Sequence, residues 1–63
     1  MKINAQTLEK EIASQARTYK EVATAAGIAE KTLKQARRGA EIHTATAGRI
    51  AAALGVMLED LIK

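Results

Sequence analysis

One glycine, Gly27, standing between two short runs with helical apolar spacing, sets the tightest limit on how this chain can fold. Before it, Val22, Ala23 and Ala26 fall on one helical face; after it, Leu33 and Ala36 do the same. Glycine reaches positive φ at the least steric cost, so the chain can turn sharply here and begin a second helix within a few residues. The expectation is a pair of helices over residues 19–26 and 30–38. Ala23 is small where the two must cross closely, and Ile28 and Leu33 can clamp the second helix onto a core. The surface left on that second helix is Glu30, Lys31, Lys34, Gln35, Arg37 and Arg38, polar and mostly cationic.

The same logic extends along the chain. Asn4 is a good N-cap, with Ile3 and Leu8 at the spacing of a hydrophobic staple. A first helix is expected over residues 5 to about 17, with Ala5, Leu8, Ile12 and Ala16 as its apolar stripe. Thr18 and Glu21 have the spacing of a capping box at the start of the second helix. The third helix has Ala29 at its N-cap, a residue that cannot accept the free amides there. Gly39 ends it, after Arg37 and Arg38, whose charges suit a helix C-terminus. A loop over residues 40–43 leads to a fourth helix from 44 or 45 to 54, with Ile50, Ala53 and Leu54 inward and Gly55 as its stop. Gly48 weakens that helix by up to about 1 kcal/mol relative to alanine, which points to a close contact there. A short fifth helix over residues 58–62 closes the chain. With no proline and no strand-like alternation, the fold class is all-α: five short helices in one domain, residues 1–63.

Alanine supplies nearly half of the apolar residues and Tyr19 is the single aromatic, so the core is small and help from a partner subunit is expected. The chain has no cysteine, hence no disulfide or thiolate metal site, and this fits a reducing compartment. No apolar run approaches a membrane span and the N-terminus lacks a signal-peptide pattern, so a cytoplasmic protein is expected. A continuous membrane-active helix is disfavoured by the glycine stops and the lack of Trp and Phe. His43 is the one histidine, Ser14 the one serine and Asp60 the one aspartate. Glu9 and Glu11 lie two apart on a helix and face different ways. That inventory leaves no catalytic set, no metal site and no cofactor site, and no small-molecule ligand is inferred. The net charge is +3, but it is concentrated: residues 17–38 hold six basic side chains (Arg17, Lys20, Lys31, Lys34, Arg37, Arg38) against Glu21 and Glu30. Such a cluster is the footprint of a phosphate-binding surface, although solvated helical faces also carry charge clusters.

Two stretches, TYKEVATAAGIAEKTLKQARRG (residues 18–39) and RIAAALGVMLEDLI (residues 49–62), resemble the phage repressor/Cro (Xre-like) helix-turn-helix family, in the family's order. The resemblance spans nearly the whole chain. It implies a lambda-repressor-like domain with the helix-turn-helix at the second and third helices. Departures are Ala29, where the family usually has Ser or Thr, and Arg37, often acidic there. Ile42 and His43 stand where Pro-Ser or Pro-Thr often precedes the fourth helix, and Met57 stands where a short polar cap is common.

The family's docking mode then implies that Glu30, Lys31 and Gln35 reach base edges. Gln35 can pair with adenine, Lys31 with guanine acceptors, and Glu30 with cytosine N4. A carboxylate in the first turn also favours the helix dipole whatever it touches, so Glu30 has a purely structural alternative. Tyr19, Lys20, Thr32, Lys34 and Arg38 match backbone-contacting positions, with surface packing the alternative for Tyr19. The amides at the start of the fourth helix can assist. The function implied is a sequence-specific double-stranded DNA-binding transcriptional regulator, a Cro-like repressor that occludes a palindromic operator as a homodimer. Met57 and Ile62 are the expected dimer seam, while Leu58 or Leu61 can simply close the monomer core. The alternative is a protein-interaction module on the same scaffold, of the antitoxin-partner type.

Overall fold

Asn4 opens the first helix as its side chain allows: its Oδ1 accepts the Thr7 N–H at 3.1 Å, and its flanking staple residues Ile3 and Leu8 are both buried. The computed structural model describes residues 1–62, and all regular structure among them is helical. The helices are α1 (Ala5–Ser14), α2 (Tyr19–Ala26), α3 (Glu30–Arg37), α4 (Thr44–Leu54) and α5 (Leu58–Leu61). α2 lies at the centre of the packing, against α4 and α3; α5 packs on α4 and α1, and α1 touches α3. Leu8, Val22, Leu33, Ile50 and Leu61 are the largest fully sealed side chains, each contributing about 1.5–3 kcal/mol by burial. Small alanines (Ala23, Ala36, Ala47, Ala51) fill the rest of the core and let the helices approach closely.

At α2 both ends follow the local chemistry. Thr18 accepts the Glu21 N–H at 3.1 Å while the Glu21 carboxylate accepts the Thr18 N–H at 2.8 Å. Gly27 adopts φ +72°, and the turn closes through Gly27 N–H to Thr24 O (3.1 Å) and Ile28 N–H to Ala23 O (3.0 Å). The same pair of closing bonds ends α1, α3 and α4.

α1 departs from expectation. It stops at Ser14 rather than near residue 17, and Ala16 leaves the apolar stripe for an exposed position at φ +53°. The closing bonds there are Ala16 N–H to Ala13 O (3.0 Å) and Arg17 N–H to Ile12 O (3.2 Å). The early stop turns two side chains toward the end of α4. Gln15 Nε2 donates to Leu54 O at 2.7 Å, and Arg17 Nη1 donates to Ala53 O at 2.7 Å and to Gln15 Oε1 at 3.1 Å. These carbonyls belong to the last turn of α4, where acceptors lack intrahelical donors and carry partial negative charge. Gly48 is a second departure: a methyl group there would meet nothing within 4 Å, so no close contact inside the chain requires a glycine.

The N-terminal segment ties the far side together. Met1 and Ile42 exchange backbone bonds, N–H to O at 3.1 Å and 2.9 Å, and Asn4 N–H reaches Leu61 O at 2.9 Å. The Met1 ammonium also pairs with Glu41, and its hydrogen bond and charge hold that carboxyl below the usual carboxylate range.

Candidate nucleic-acid interface

α3 is held from beneath by Leu33 and Ala36, both fully buried, which leaves the other side of the helix to solvent. Glu30, Lys31, Lys34, Gln35 and Arg38 surround one open depression on that side. Lys31, Gln35 and Arg38 share a stripe at i, i+4 and i+7, and their side chains, among the described residues, make no hydrogen bond or ion pair within the chain. Glu30 is different: its carboxylate lies 3.5 Å from Lys34 Nζ, one turn on. Both are exposed, so the pair is worth only about 0.3–0.5 kcal/mol and is easily exchanged. Ala29 provides no side-chain cap, and Glu30 in the first turn partly compensates through its charge. Thr32 is half-buried, and Lys20 is exposed at the start of α2.

Two of the six clustered cations are engaged by distant elements of the chain. Arg17 caps α4. Arg37 lies across the flank of α3, where its Nη1 donates to Glu9 Oε1 at 3.1 Å and its guanidinium stands 5.4 Å from the centre of the Tyr19 ring. The cationic patch expected from the sequence therefore narrows to Lys20, Lys31, Lys34 and Arg38. Neither arginine contact leaves a local signal: Glu9 and Arg37 are 28 residues apart, and Arg17 and Ala53 are 36 apart.

Tyr19 is also repositioned by this contact. Its ring is half-buried and its hydroxyl is sealed from solvent beside the Arg37 guanidinium, so that oxygen is closed to a phosphate in this arrangement. Burial pushes the phenol pKa up, and the nearby Arg37 charge pulls the other way. The Arg37 Nε is buried as well. An exposed ion pair contributes about 0–1 kcal/mol and a cation–π contact about 0.5–1 kcal/mol. Together these contacts hold Arg37 against α1 and α2 with about 0.5–2 kcal/mol.

At the opposite end of the chain, Met57 is 63% exposed and Ile62 40% exposed, the two large apolar side chains left most open. Leu61 is fully buried and Leu58 half-buried, so these two close the monomer core. α4 begins after His43, whose side chain makes no cap bond, so the first amides of α4 carry no side-chain acceptor. No helix among the described residues is long and apolar enough to cross a membrane. Comparison with protein-family models, with curated proteins and with solved structures returned no match, so the functional reading rests on these residues.

Proposed function

We propose that the chain is a cytoplasmic, non-enzymatic, sequence-specific double-stranded DNA-binding regulator. In this reading α2 and α3 form a helix-turn-helix, α3 enters the major groove, and a homodimer represses by occluding a palindromic operator. The observation that carries the reading is the outer stripe of α3. The side chains of Lys31, Gln35 and Arg38 are exposed and, among the described residues, free of partners within the chain, on a helix fixed from below by Leu33 and Ala36. Gln35 supplies the donor–acceptor pair that matches adenine, Lys31 matches guanine acceptors, and Arg38, Lys34 and Lys20 are the cations assigned to phosphates in this reading. Glu30, engaged with Lys34, is the weakest of the base-edge candidates.

Size supports two copies. The protomer measures 25 × 21 × 18 Å, and successive major grooves on one face of a duplex are about 34 Å apart. One protomer spans a single groove, and one helix reads too few base pairs to discriminate within a genome. The apolar surface of Met57 and Ile62 is the seam proposed to join the pair. That same patch would serve a protein-interaction module on this scaffold, and the two readings part at α3.

The test is selection of bound duplexes from a random library, followed by titration of the selected site at several salt concentrations. A dimer with this patch is expected to give a log–log salt slope on the order of −5 to −10. Failure to retain any duplex at low salt, or binding indifferent to salt, removes the DNA reading. Loss of dimerisation in Ile62→Asp, in a chain that stays folded, is the matching result for the seam.

A further inference from the structure

Glu9 from α1, Tyr19 from α2 and Arg37 from α3 meet on one flank of α3. Beyond this cluster, α3 has two buried side chains and no side-chain cap at its start. Leu33 and Ala36 set how deeply α3 sits, but a helix resting on one leucine and one alanine can still roll about its own axis. Arg37 lies at the edge of the buried face, two residues from Gln35 and adjacent to Arg38. It crosses to α1 through the 3.1 Å bond to Glu9 and stacks on α2 through Tyr19. Side-chain tips stand about 6 Å from a helix axis, so a roll of roughly 10° moves them by about 1 Å. Selective hydrogen bonding tolerates about half that.

We propose that Arg37, clamped by Glu9 and Tyr19, is a positioning residue that fixes the rotational setting of Lys31, Gln35 and Arg38. This rests on the DNA reading above. In this proposal Arg37 acts through the helix: its Nη1 is engaged by Glu9 and its Nε is sealed, while 40% of the side chain stays open to solvent, so the charge swap below is what separates positioning from phosphate contact. The effect therefore lies in discrimination between sequences rather than in overall affinity.

The readout is the ratio of affinities for the duplex selected by the wild-type chain and for an unrelated duplex. In Glu9→Gln, close in shape but uncharged, this ratio is expected to fall about two- to fivefold, the most an exposed ion pair can supply, while affinity for the unrelated duplex is kept. Arg37→Glu lowers the ratio as well, and combining it with Glu9→Arg restores it. Gln15→Ala, which removes a bond to the end of α4, serves as the control: it lowers the melting temperature and leaves the ratio unchanged. An unchanged ratio in Glu9→Gln overturns the proposal. So does a swap whose ratio is no higher than that of Arg37→Glu alone, because the pairing of α3 with α1 would then not be what sets the stripe. Equal losses on both duplexes in Arg37→Glu, with the ratio kept, also overturn it, because Arg37 would then be contacting phosphate itself. An equal fall of the ratio in Gln15→Ala also overturns it, by showing that lost stability is the cause. Should Arg37→Glu not fold, Glu9→Gln and the control decide alone. If the wild-type chain selects no duplex, the DNA reading fails and the clamp's role fails with it.

Discussion

Arg17 and Arg38 carry the same charge and close the two ends of one basic segment, yet they sit in unlike surroundings. Arg17 reaches the last carbonyls of α4 and is held there with Gln15. Arg38 stands exposed on the stripe with Lys31 and Gln35. The difference teaches what decides whether a cation builds the fold or faces a ligand. It is whether a distant element brings a carbonyl or carboxylate within reach, and counting charges along the chain cannot reveal that.

The largest expected effect tests the Arg17 side of the comparison. A hydrogen bond from a charged donor contributes about 1.5–3 kcal/mol, so Arg17→Ala is expected to lower stability by about that much in urea titrations. Its salt slope for duplex binding should match that of the wild-type chain. A flatter slope would move Arg17 into the exposed set and break the contrast.

The next effects belong to the α3 stripe. Gln35→Ala is expected to cost about 1–3 kcal/mol on the selected duplex and almost nothing on an unrelated one. Arg38→Ala should instead weaken all duplexes alike and flatten the salt slope by about 0.9 per protomer. Equal losses on both duplexes for Gln35→Ala would mean that α3 is turned differently in the groove than proposed.

What was legible in the sequence follows the same division between near and distant partners. α2 could be read at both ends because Thr18, Glu21 and Gly27 act within a turn of themselves. The inward faces of α2 and α3, and Ile50 and Leu54 of α4, were legible because periodicity is local; in α4 the buried Ala47 and Ala51 were missed among so many alanines, and Ala53 is only half-buried. The stop of α1 was not, because an alanine at φ +53° carries no mark of a turn. The roles of Arg17 and Arg37, and the sealing of the Tyr19 hydroxyl, depend on partners brought close only by the fold. Nor could spacing show that the space beside Gly48 is open.

Smaller effects probe the backbone around the Arg17 cap. Holding an L-residue in the left-handed region costs about 1–2 kcal/mol, and glycine gives back part of that as chain entropy. Ala16→Gly is therefore expected to stabilise the chain by roughly 1 kcal/mol, read as a higher denaturation midpoint. Gly48→Ala, in the interior of the helix that Arg17 closes, should add about 0.5–1 kcal/mol, since the new methyl meets nothing. A loss of stability in either variant would mean that the chain at that point is shaped differently.

The smallest effect is a titration, and it tests whether Arg37 belongs with Arg17 among the engaged cations. Tyr19 is the single aromatic residue, so phenolate absorbance reports it alone. Burial raises its pKa above the ordinary 10.0, while the Arg37 charge acts in the opposite sense. Arg37→Met keeps much of the stem over the ring and removes the charge, so the midpoint is expected to rise further. Because the folded pKa lies above the unfolded one, the unfolded chain ionises first. The contribution of Tyr19 to stability is therefore complete below pH 10.0, falls as pH rises past it, and is lost above the folded midpoint. If Arg37→Met left the midpoint unmoved, the guanidinium would be standing away from the ring in solution. Arg37 would then join Lys31 and Arg38 as a cation open to phosphate, and the rotational clamp on α3 would have lost its central residue.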